Sequence, residues 1–260
     1  MIRRSLALLT LVVVCAGSSA ACQDDAPPPP PPAANTKKVD PATASSLSGR
    51  ITFAGARPPV EALRMGSDQA CVQGAGPNPQ SDAVLISDSG GLQNVYVHVL
   101  TGLDPEYGFD VPTSPAVLDQ KGCVYTPRVI GVRAGQPIEI VNSDPTLHNV
   151  HAIPMKNGEF NKGQPVQGMR EKQVFTVPEV MVRFKCDVHG WMAAWVGVSA
   201  HPFFAVTDAD GRFEIKGLPP GTYTIEAWHE KFGRQTGDVV IAANQPQTLS
   251  LTFAAAPSGS

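Results

Sequence analysis

A cysteine, a histidine and a methionine stand at three-residue intervals in Cys186-Asp187-Val188-His189-Gly190-Trp191-Met192, and Asp144-Pro145-Thr146-Leu147-His148 supplies another histidine upstream. Copper(I) prefers soft sulfur, and copper(II) prefers tetragonal nitrogen and oxygen. A thiolate, two imidazoles and a weak thioether lie between these preferences. Such a set lets one ion change oxidation state with little reorganisation. One short loop can bring Cys186, His189 and Met192 together, leaving His148 to arrive from elsewhere. His151 is a further imidazole, but residues three apart on a strand face opposite sides. It is expected outside the donor set. Met155, Met169 and Met181 are read as core or surface fillers rather than ligands.

The elements around these residues read as short strands. Tyr125 to Asn142 gives two strands about an Ala134-Gly135-Gln136 turn; Lys172 to Val177 and Val180 to Lys185 give two more, and Ala194 to Ser199 closes the set after the ligand loop. Over nearly all of residues 116–200 this arrangement resembles the cupredoxins. The resemblance is carried by the Pro-containing strand, the Gly turn, Asn142 ahead of His148-Asn149-Val150, and Cys-x-x-His-x-x-Met before the closing strand. The gap between His189 and Met192 looks most like amicyanin; plastocyanins usually carry a longer one. The resemblance implies a Greek-key β-barrel over residues 105–200 holding one type 1 copper through His148, Cys186, His189 and Met192. It also implies that Asn142 lies just outside the ligands and ties the His148 loop to the Cys186 loop. Electrons would pass through an exposed edge of His189 to a redox partner such as a c-type cytochrome or a dehydrogenase. Trp191 would then either belong to an apolar docking patch or pack on the barrel rim.

The flanking sequence reads as a second all-β structure. Gly49 to Gly55 and Asn94 to Leu100 alternate like half-buried strands, while Met65 to Asp88 is irregular. After residue 200, short strands are separated by Asp-Gly, Pro-Pro-Gly and Asn-Gln-Pro turns. The run Thr207 to Ile225 resembles the carboxypeptidase regulatory-like domain, which implies an immunoglobulin-like or transthyretin-like β-sandwich. Its opening strands precede the cupredoxin-like stretch. The sandwich is therefore expected from residues 46–104 and 201–254, with residues 105–200 inserted; two domains in series is the alternative. Asp208-Ala-Asp-Gly211 is read as a hairpin turn, since it lacks the later oxygen ligands of a calcium loop.

Residues 1–21 read as a signal peptide: Arg3 and Arg4, an apolar run from Leu6 to Val14, then small residues. Ser19-Ala20-Ala21-Cys22 resembles the lipobox of bacterial lipoproteins, departing from it at Ser19. Cys22 is a lipidation candidate, and simple cleavage and release is the alternative. Residues 22–45, with six consecutive prolines, read as an extended tether, and residues 255–260 as a tail. The expected location is the periplasm or the outer face of a bacterial membrane, with membrane contact only through an anchor on Cys22. The 24 Gly and 25 Pro fit many turns, and a formal charge of −3 without a basic run gives no reason to expect nucleic acid. Of five cysteines, Cys15 leaves with the leader and Cys71 and Cys123 are free to pair or to remain buried thiols, leaving Cys186 single. Copper enzymes of the multicopper oxidase or nitrite reductase kind need a further copper site, typically with His-x-His pairs, and the chain has none. An electron carrier rather than an enzyme is expected. Copper storage, delivery or sensing, or a carbohydrate-binding-like module with an accessory copper site, are the alternatives.

Overall fold

The computed structural model describes residues 37–66 and 68–255. The leader, Cys22, the polyproline run and nearly all of the tail lie outside them. Among the described residues, sixteen strands and one short helix follow in chain order. They are β1 (Ser45–Ala54), α1 (Gln69–Ala75), β2 (Tyr96–Thr101), β3 (Ala116–Gln120), β4 (Tyr125–Thr126), β5 (Val129–Arg133), β6 (Pro137–Asn142), β7 (His148–Ile153) and β8 (Phe160–Gln164). Then come β9 (Arg170–Val174), β10 (Glu179–Lys185), β11 (Ala193–Ser199), β12 (Phe204–Val206), β13 (Arg212–Leu218), β14 (Gly221–His229), β15 (Gly233–Ile241) and β16 (Gln247–Ala254).

The fold is nearly all β, as the alternating apolar pattern implied. Two sheets, ordered β13-β1-β16 and β12-β2-β14-β15, enclose a core that includes Leu47, Ile51, Val97, Phe213, Ile225 and Phe253. Two others, β4-β3-β6-β9 and β5-β11-β10-β7-β8, enclose Leu118, Ile140, Val150, Val182, Phe184 and Val196. The latter pair forms a sandwich without closing into a barrel. The chain leaves the first pair of sheets after β2 and returns to it at β12.

Glycine makes the meeting of the two structures possible. Gly131 on β5 and Gly197 on β11 face each other in register. A Cβ at Gly131 would lie 2.4 Å from the Phe204 ring, and one at Gly197 would lie 2.5 Å from the Tyr96 ring. Two aromatic rings from the first pair of sheets thus rest on bare backbone of the second.

Three local features differ from the sequence reading. Residues 37–45 are not free tether: Lys37 bridges to Tyr107, its N–H donates to the Glu106 carbonyl at 3.1 Å, and β1 already begins at Ser45. Past the polyproline run, backbone donors are available again and are used. β8, with mostly polar and exposed residues, carries no alternation to read. α1 lies within the stretch read as irregular. It has a single buried residue, Cys71, and starts because the Asp68 carboxylate caps the N–H groups of Ala70 at 2.8 Å and Cys71 at 3.3 Å.

Candidate metal centre

β7 begins at His148, and its burial alternates: His148, Val150 and Ala152 point into the core, Asn149 and His151 away from it. β10 ends at Lys185 and β11 starts at Ala193, so Cys186, His189 and Met192 occupy the loop between them. His148 Nδ1 lies 3.0 Å from His189 Nδ1, and Cys186 Sγ lies 3.9 Å from the same His189 nitrogen. The donor atoms of His148, Cys186 and His189 all fall within 4.8 Å of one another. Met192 is buried in the same core, and its N–H donates to the His189 carbonyl at 2.9 Å, closing the loop as a turn.

The remote nitrogens of both imidazoles meet carboxylates. His148 Nε2 lies 2.8 Å from Asp144 Oδ2, and His189 Nε2 lies 3.2 Å from Asp68 Oδ2. A carboxylate on one ring nitrogen keeps the proton there and directs the other nitrogen's lone pair toward a metal. Asp144 is itself held by the N–H groups of Gly122 at 2.7 Å and Cys123 at 2.8 Å, and Asp68 by the Thr146 hydroxyl at 2.7 Å. The donor set thus suits copper: a thiolate, two inward-facing Nδ1 atoms and a buried thioether.

The electrostatics without metal are consistent with this geometry. Burial opposes charge on His148, but the hydrogen bonds to Asp144 and Cys186 outweigh it and push its pKa up to about 9. Burial also opposes a Cys186 thiolate, yet His148 and the N–H groups of Asn149 and His189, both 3.4 Å from the sulfur, hold the thiol below its ordinary value. Burial and the neighbouring His148 charge lower His189. These shifts favour a charged His148 that donates to His189, and they move Cys186 toward its thiolate; a metal would displace the His148 Nδ1 proton.

Two expectations about this site are corrected. Asn142 does not join the two loops: its amide donates to the carbonyls of Thr146 at 2.9 Å and Gln164 at 2.8 Å, and its oxygen accepts from the Asp144 N–H at 2.9 Å. From the end of β6 it ties the turn before His148 to the end of β8, and none of these partners belongs to the Cys186 loop. The link belongs to Asn149, whose N–H reaches Cys186 Sγ and whose side-chain oxygen accepts from the Asp187 N–H at 2.7 Å. Tyr125 adds a second link, donating to the carbonyls of Asn149 at 3.1 Å and Lys185 at 3.2 Å.

Nor is the His189 edge exposed. Its ring is 2% accessible, because Asp68 and Cys71 of the α1 segment cover it. Cys71 and Cys123 are joined as a disulfide that fastens α1 over this edge, and Cys186 is free. Trp191 is half-buried, its ring centroid 5.0 Å from that of His189, and its indole N–H donates to the Cys123 carbonyl at 2.9 Å. It packs on the rim. His151 lies outside the cluster, between Asp187 at 2.9 Å and Glu159 at 2.7 Å, where it braces the ligand loop from the other face. Sequence reasoning missed Asp68, Asp144, Asn149 and Tyr125. Only Asn149, adjacent to His148, carried a positional hint.

The family model for the carboxypeptidase regulatory-like domain matches residues 196–254, well under half of the chain. No curated protein matches the sequence. Among solved structures, the chain is similar to a copper-containing nitrite reductase from Thermus scotoductus SA-01, at 20% identity and a TM-score of 0.31, covering 35% of this chain and 24% of that one. It is also similar to a purple cupredoxin from Nitrosopumilus maritimus, at 22% identity and a TM-score of 0.29, covering 32% and 99%. A copper(I) form of a point mutant of amicyanin gives 19% identity and a TM-score of 0.30, covering 40% and 98%. This chain thus spans about a quarter of the nitrite reductase. At TM-scores this low the likenesses carry no functional weight.

Proposed function

We propose that this protein is an exported electron carrier, not an enzyme, that holds one type 1 copper through His148, Cys186, His189 and Met192. The observation that carries the reading is the convergence of two Nδ1 atoms on the Cys186 sulfur, with each remote nitrogen on a carboxylate. Copper bound there would supply a one-electron couple. The chain's part is to fix the tautomers, exclude water and hold the donors still, so that little moves when the charge changes. A c-type cytochrome or a dehydrogenase outside the cytoplasm is the kind of partner proposed, with the Cys22 leader and tether placing the carrier at a bacterial membrane. The test is the visible spectrum after copper(II) is added. An intense thiolate-to-copper band that Cys186→Ser abolishes supports the reading; a colourless complex, or a band indifferent to that substitution, contradicts it.

The covered edge of His189 favours a second reading, copper storage or delivery, because the imidazole edge that would pass an electron to a partner lies under Asp68 and Cys71. A reversible potential with rapid electron exchange would favour the carrier. Rapid loss of copper to an acceptor protein, without a stable couple, would favour delivery.

A further inference from the structure

Both nitrogens of His189 face sulfur. Nδ1 points toward Cys186; on the opposite side of the ring, Nε2 lies 3.6 Å from Cys71 Sγ and 3.2 Å from Asp68 Oδ2. The ligand atoms of Cys71, Cys123 and His189 fall within 4.8 Å of one another, and all three residues are buried. As a disulfide, the two sulfurs bind no metal. As a pair of thiolates beside an imidazole and a carboxylate, they would offer a compact soft donor set.

We propose that reduction of Cys71–Cys123 opens a second metal site, in which the two thiolates and His189 Nε2 take up copper(I). Oxidation closes it again. The reductant is a dithiol: one of its thiolates attacks a sulfur of the bond to give a mixed disulfide, and its second thiol resolves that intermediate. The reductant leaves as a disulfide, and two electrons and two protons pass to Cys71 and Cys123. Copper(I) then displaces both thiol protons to solvent without changing oxidation state. His189 joins as a ligand only when the proton that Asp68 otherwise keeps on Nε2 has passed to Nδ1, so the two sites share one imidazole and compete for it.

Access is the obvious obstacle, because both half-cystines are fully buried. The cover over them is slight. α1 is seven residues long, buries only Cys71, and is held by the disulfide, by the partly buried Ala75 and by Asp68, which caps it and meets Thr146 and His189. A segment with so few buried contacts opens locally at a small fraction of the global unfolding free energy, and losing the covalent bond loosens it further. The site is thus gated by the bond that its own ligands form.

The test uses the full chain carrying Cys186→Ser, so its outcome does not depend on copper at the first site. Free thiols are blocked with iodoacetamide while the disulfide is intact. The chain is then reduced with dithiothreitol, freed of reductant by gel filtration, and titrated anaerobically with copper(I) against a chromophoric chelator. The expected result is one tight equivalent that appears on reduction, disappears on reoxidation and is weakened by a further His189→Ala. No gain on reduction overturns the proposal. So does a gain indifferent to His189→Ala, which would be bare thiol binding by an opened chain.

Discussion

At the scale of single residues, the carboxylates behind the imidazoles set the character of the site. Asp144 accepts from His148 Nε2 at 2.8 Å in a buried position, and its charge raises the basicity of the ring nitrogen that would meet the metal. A more basic donor favours copper(II) over copper(I). Asp144→Asn keeps much of the shape and removes the charge; it is expected to raise the potential and to lower copper(II) affinity by roughly 10- to 100-fold, the usual consequence of losing such a partner. Voltammetry and chelator competition measure the two effects, and an unchanged potential would refute the role. The meeting of His148, Cys186 and His189 was legible because two of them lie within one short loop and period-two alternation separates His148 from His151. Asp68 was not legible. It reaches His189 across a long stretch of sequence, placed by a helix cap and a disulfide that obey no periodicity. Asn142 misled because it does anchor the His148 turn, while the bridge to Cys186 falls to the residue after the histidine.

At the scale of elements, strands with one buried face could be read from alternation, whereas β8 and α1, which bury little, could not. What the pattern also hid is how closely β5 and β11 approach the neighbouring sheets. Gly197 has the Tyr96 ring where a Cβ would stand, so Gly197→Ala must displace a fully buried tyrosine. Overpacking of this kind typically costs about 1–3 kcal/mol. Gly158→Ala, with nothing within 4 Å, serves as the control and should be close to neutral. Thermal unfolding of the two variants measures the difference; equal melting temperatures would mean that the aromatic seat contributes nothing.

At the scale of the whole molecule, stability should fall as the medium becomes acidic, and two histidines outside the metal cluster account for much of it. Burial pushes both His201 and His229 down to about 4. His229 accepts the Lys231 N–H at 3.2 Å on Nδ1, stacks on Phe232 and leaves Nε2 without a partner. Unfolded histidines titrate near about 6.5. Between that value and about 4 the unfolded chain therefore binds more protons, and stability declines as pH falls through the window. His148, raised to about 9, is protonated in both states there and adds nothing to the slope. Denaturant titrations across this range should show a dependence of about two protons from His201 and His229, to which the lowered His189 adds, and a loss of about one in His229→Leu. A flat profile would contradict the buried neutral state.

In the proposed carrier, one copper ion would be held by two loops that only the fold brings together. X-ray absorption at the copper edge of the loaded protein tests it most directly. The expected spectrum shows one close sulfur, from Cys186, together with two imidazole nitrogens. A copper surrounded only by nitrogen and oxygen, or one bound by two close sulfurs, would contradict it.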